Sequence, residues 1–144
     1  MTKKAVDAFE HYCKTHDLRV TPPRLSAFKI VHSAKKPITA YDVLEKMGKD
    51  IKSPKPPTAY RALDFLSDHG FVHRIESMNA YVSCDVNHKH EGSQFMICDS
   101  CGWVEEIHLC SLPKPLHDKV EREGFTLHHW NVEVHGQCAK CAAL

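Results

Sequence analysis

Two cysteine pairs carry the clearest chemistry in the chain: Cys98-Asp99-Ser100-Cys101 and Cys138-Ala139-Lys140-Cys141. Two thiolates separated by two residues can grip one edge of a tetrahedral zinc ion, and a second such pair completes the coordination. Gly102, just after Cys101, permits the tight turn such a loop needs. A dithiol redox centre needs only one Cys-x-x-C at a helix start, and unrelated thiols have no reason to pair at this spacing. The four cysteines therefore read as a structural zinc site. Cys13 falls on an apolar helical face and reads as packing, whereas Cys110 stays open between packing and metal.

A second ligand set gathers in the middle of the chain: His73, Cys84, His88, His90 and Glu106. In His88-Lys89-His90 the two imidazoles stand on one side of an extended segment. Together with a thiolate and a carboxylate they make a set of S, N and O donors that suits a tetrahedral Zn²⁺. Such a site would bridge the segments before and after it. Metal binding would then fix their relative orientation, which is how a ligand selects one of two states.

The charge distribution points to two modules. Residues 1–83 hold 14 Lys and Arg against 9 Asp and Glu, whereas residues 84–144 hold 5 against 9. The net charge of +1 hides this contrast between a basic N-terminal module and an acidic one rich in metal ligands. A basic module suggests a nucleic-acid partner. No apolar run reaches the ~18 residues of a helical membrane span. The start, MTKKAVDAFEHYCK, has no apolar core of a secretory signal, so the expected location is the cytoplasm. In that reducing compartment clustered cysteines bind metal more often than they form disulfides. There is no HExxH, no nucleophile elbow and no Gly-rich phosphate loop, so no enzyme is expected.

The elements that position these residues follow from periodicity and caps. Val6, Phe9 and Cys13 outline a first helix. Thr21-Pro22 opens a second, with Leu25, Phe28 and Val31 inward. Thr39 and Asp42 form a capping pattern before Val43, Leu44 and Met47, and Gly48 closes that helix. After Lys52-Ser53-Pro54-Lys55-Pro56-Pro57-Thr58, a helix buries Ala59, Ala62, Leu63 and Leu66 and turns Tyr60, Arg61 and Asp64 outward. Residues 71–75 and 80–83 read as a hairpin about Ser77-Met78-Asn79. Helices followed by a hairpin are the order of a winged helix-turn-helix. In that fold Tyr60 and Arg61 can reach base edges while Lys52, Lys55 and Thr58 face phosphates. Beyond the join, Val104 and Ile107 read as a strand, and Leu116 and Val120 stand four residues apart in a helix ending at Gly124. Phe125 and Leu127 alternate out of phase with Val132 and Val134, which suggests a bulge near residues 128–131.

The segments PPTAYRALDFLSDHGFVHRIES, YVSCD before His-x-His, FMICDSCGWVEE and HGQCAKC together resemble the ferric uptake regulator (Fur) family, from about residue 20 onward. The resemblance implies an α+β chain. It has a winged-helix DNA-binding domain over 1–83, a hinge over 84–91 and a dimerisation and metal-binding domain over 92–144. It also implies a homodimeric, metal-activated repressor bound to double-stranded operator DNA, an AT-rich palindrome. Cys98, Cys101, Cys138 and Cys141 match the family's structural zinc site. His73, Cys84 and Glu106 match three positions of the regulatory site in its zinc-responsive members. The fourth ligand is expected to be His90, with His88 as the alternative. Tyr60 and Arg61 match positions that read the operator. Two Zn²⁺ per chain are expected, one structural and one regulatory, with His129 a candidate for a third metal. A thiolate from Cys84 favours zinc over the iron, manganese or peroxide sensed elsewhere in the family.

Overall fold

Two threonines start the second and third helices. The Thr21 hydroxyl accepts the Arg24 N–H at 3.4 Å, and that of Thr39 accepts the Asp42 N–H at 3.1 Å. Each satisfies an amide that the first helical turn leaves without a carbonyl. The computed structural model describes residues 2–34, 36–84, 94–107, 109 and 111–143. The chain forms two compact units, Met1–His88 and Lys89–Leu144.

The first unit contains α1 (Thr2–Thr15), α2 (Pro22–Ser33), β1 (Ile38–Thr39), α3 (Ala40–Met47), α4 (Pro56–Asp68), β2 (Val72–Ile75) and β3 (Ala80–Ser83). The inward residues expected on α4, Ala59, Ala62, Leu63 and Leu66, are all buried. They share a core with Phe9, Cys13, Phe28, Val31, Val43, Met47 and Phe71. Phe9 stacks on Phe28 with ring centroids 4.8 Å apart and meets Phe71 edge-on at 5.0 Å. Gly70, at φ 76°, releases the chain from α4 into β2. A single 3₁₀ turn, Glu76–Met78, and Asn79 at φ 48° connect β2 to β3. Both strands of β1 and β2 flank β3 antiparallel, with Ile38 opposite Tyr81 and His73 opposite Val82. β1 was not expected from the sequence, because two residues are too few to show alternation.

The second unit contains β4 (Gln94–Cys98), β5 (Val104–Glu106), α5 (Lys114–Arg122), β6 (Val132–Gly136) and α6 (Ala139–Ala142). β4 is central, antiparallel to β5 and parallel to β6. The sequence reading placed no strand there, because Phe95-Met96-Ile97 is an unbroken apolar run with no alternation. One other expectation needs correction. Phe125 and Leu127 form no strand: β6 pairs all five residues of β4, from Gln94 with Val132 to Cys98 with Gly136. That edge is filled, so residues 125–127 have no strand beside them among the described residues. Leu116 and Val120 lie four residues apart on α5, the helix expected there. α5 buries no residue, and Leu116 is 51% exposed. No helix among the described residues is long and apolar enough to cross a membrane.

Candidate metal centre and nucleic-acid interface

The pairing of β4 with β6 assembles the four-cysteine cluster. Cys98 ends β4 opposite Gly136, the last residue of β6, and Cys138 lies two residues beyond. Gly102 adopts φ 79° in the turn after Cys101. All four Sγ atoms lie within 4.8 Å of one another, and Cys101 and Cys138 are 3.8 Å apart. A tetrahedron with Zn–S bonds of about 2.3 Å has edges of about 3.8 Å, so the sulfurs match zinc in number and spacing.

Their acidities reflect the crowding. Backbone N–H groups of Cys138 and Cys101 hold the Cys98 thiol down at about 6. The N–H of Cys141 lowers Cys138, while Cys141 itself is pushed up to about 12 by the neighbouring thiols, Cys138 first. Four sulfurs this close cannot all ionise unless a cation sits among them. A zinc ion would remove that conflict and hold all four as thiolates.

The second ligand set divides between the units. His73 is buried on β2, and Cys84 follows β3 with its N–H donated to the Phe71 carbonyl at 3.0 Å. Within the first unit the ligand atoms of His73 and Cys84 lie within 4.8 Å of each other. Glu106 ends β5 of the second unit, opposite Phe95 and half-buried. His88, His90 and Cys110 lie outside the described residues. His129 is exposed and joins no ligand group among the described residues. The group His117, Asp118 and Glu121 lies on exposed α5, where Lys114 already pairs with Asp118 at 2.9 Å.

On the first unit, α4 presents Tyr60, 48% exposed, beside exposed Arg61 and Asp64. Lys52 and Lys55 are exposed just before it, and neither forms an ion pair among the described residues. Thr58 is half-buried in the first turn, with its N–H donated to the Lys55 carbonyl at 2.9 Å. Pro56 and Pro57 carry no N–H, so this helix start has few amides for a phosphate. Cationic side chains must supply most of the attraction. Asp64 forms no ion pair with Arg61, which leaves the guanidinium available for bidentate contacts.

The sequence reading missed the residues that brace α4. The Arg24 guanidinium lies 3.8 Å from the Phe65 ring centroid and donates to the Arg19 carbonyl at 2.8 Å. The Tyr12 hydroxyl hydrogen-bonds His69 Nδ1 at 3.1 Å, at the end of α4 and 57 residues away in sequence. Contacts so distant leave no local signal.

A winged-helix unit and a second unit with four thiols spaced to hold one metal ion are the pattern of a class of metal-responsive regulators. Residues 15–135 match the ferric uptake regulator family, and the chain belongs to that family of transcription regulators. Within it, the chain is similar to the zinc uptake regulation protein of Escherichia coli, with 38% identity over 141 residues covering 97% of this chain and 82% of that protein. It is also similar to a solved zinc uptake regulator complexed with zinc and DNA. That match has 37% identity and a TM-score of 0.90 over 99% of this chain and 96% of the other. The crystal structure of holo XcZur matches with 38% identity and a TM-score of 0.85 over 98% of this chain and 99% of that one.

Proposed function

We propose that the chain is a zinc-responsive, DNA-binding repressor of zinc-uptake genes, active as a zinc-loaded homodimer. The observation that carries this reading is the approach of the Cys84 thiol to the His73 imidazole, in a chain similar to zinc uptake regulators. A thiolate beside an imidazole suits zinc better than the harder ions held by all-nitrogen and oxygen sites.

Each chain binds two zinc ions. One is structural, on Cys98, Cys101, Cys138 and Cys141. The other is regulatory, on His73, Cys84, His90 and Glu106, with His88 as the alternative to His90. The regulatory ion joins the DNA-binding domain, residues 1–83, to the dimerisation domain, residues 92–144, across the hinge at 84–91. Zinc supplies a bond between the domains, and the orientation it fixes sets two winged helices at the spacing of two half-sites. Tyr60 and Arg61 read base edges in an AT-rich palindrome, while Lys52, Lys55 and Thr58 hold phosphates. The second copy covers Leu116, Phe125, Leu127 and Val134, four of the exposed apolar side chains of the second unit. The protein works in the cytoplasm and performs no catalytic step.

Operator binding by fluorescence anisotropy, in buffered zinc with metal counted on the same samples, tests this reading. Binding is expected to rise as the second zinc per chain loads, and Cys84→Ser to lose that rise while keeping the first zinc. Operator binding that ignores zinc and follows Fe²⁺ or Mn²⁺ would replace zinc as the signal.

A further inference from the structure

Several contacts around the four thiols involve no sulfur. The Asp99 N–H donates to the Gly136 carbonyl at 2.8 Å, which extends the β4–β6 pairing one step past Cys98. The His135 ring spans two carboxylates: Nδ1 lies 3.3 Å from Asp99, and Nε2 lies 3.1 Å from Glu133. The Gln137 amide donates to the Ser100 hydroxyl at 3.2 Å. Asp99 and Ser100 are the two residues inside the first Cys-x-x-C. Gln137 immediately precedes the second, and His135 stands two residues before Gln137.

We infer that Asp99, Ser100, His135 and Gln137 form a clasp that keeps the two Cys-x-x-C loops paired when the metal leaves. Each loop is tied to the other by its own intervening or flanking residues, so the four sulfurs stay gathered without the ion's help. Zinc is then recaptured by side chains already in place, with no need to rebuild the loop pairing. Residues that orient metal ligands from outside the ligand shell are worth about 10- to 100-fold in affinity, and the clasp would orient the loops that carry the four ligands. His135 and Gln137 are positioning residues: they orient the loops and bind no metal themselves.

The inference rests on the reading of the four cysteines as a zinc site, and two measurements on the full chain separate them. The first is zinc release from the loaded protein to 4-(2-pyridylazo)resorcinol, followed by absorbance. His135→Ala combined with Gln137→Ala is expected to release zinc about 10-fold faster than wild type. His135→Gln, which can still hydrogen-bond Asp99, should recover most of the difference. The second is hydrogen exchange of the Asp99 amide in zinc-free, reduced protein. It is expected to be protected in wild type and to lose protection in the double variant. Gln137 is exposed, so Gln137→Ala alone keeps the test available if the double variant fails to fold. Unchanged release with normal zinc content would overturn the clasp, as would an Asp99 amide that exchanges in the zinc-free wild type like that of an unstructured peptide. If Cys98→Ser left the zinc content unchanged, the zinc reading of the thiols would fall first, and the clasp with it.

Discussion

Arg61 on α4 and Lys52 just before that helix are both exposed and are expected to fail differently. A guanidinium can bond two acceptors on one guanine edge, whereas a lysine ammonium meets a phosphate as a point charge. Arg61→Ala should therefore cost roughly 1–3 kcal/mol on the operator and much less on random DNA. Lys52→Gln should weaken both alike and reduce the salt slope of binding by about one per chain. Anisotropy titrations on both DNAs at several salt concentrations distinguish the two; equal losses for Arg61→Ala on both would argue against base reading. His135 offers a test by pH. Its ring is held above its ordinary 6.5 by the hydrogen bond to Glu133 and then by that to Asp99. A raised cation pKa stabilises the folded state fully below pH 6.5, and the contribution is lost as pH rises through the folded value. NMR titration of the His135 ring should find a midpoint above 6.5, and Glu133→Gln should bring it down.

Helices α3 and α4 show how cap and core divide the stability of one unit. Leu66 is fully buried against the other helices, so Leu66→Ala should cost about 2–5 kcal/mol. Thr39 ends β1 and its hydroxyl caps α3; Thr39→Ala removes the cap and should cost about 1 kcal/mol. Thermal unfolding should rank them in that order. The caps and inward residues of α2, α3 and α4 were legible because each depends on residues three or four apart. β1 and β4 were not. β1 is two residues long, and β4 gains its identity from partners 7 to 38 residues away in the chain, as in Met96 opposite Glu105 and Val134.

The molecule as a whole must account for the apolar surface of its second unit. Leu116 on α5, Phe125, Leu127 and Val134 are exposed, and α5 buries none of its residues. The sequence pattern correctly marked Leu116 and Val120 as one face of a helix, yet the described chain puts no core against it. Coverage by a second copy predicts that Leu116→Asp shifts sedimentation toward monomer and makes operator binding depend more steeply on protein concentration. If the variant stays dimeric under dilution, another surface must hold the two copies together.

The cysteine spacing, the capping threonines and the apolar stripe of α4 are local patterns. Chemistry within a few residues was enough to read a four-thiol metal site and a winged-helix order from them. Cys84 and His73 could be named as candidate ligands because a thiol and an imidazole have few other uses near a module boundary. Their approach depended on the hairpin register that sets His73 opposite Val82, two residues before Cys84. The parallel register of β4 with β6 likewise gathered four thiols and tied His135 to Asp99. That same register left Phe125 and Leu127 without a strand. Such outcomes depend on which distant segments meet, and pairing between distant strands leaves no periodic trace in the sequence.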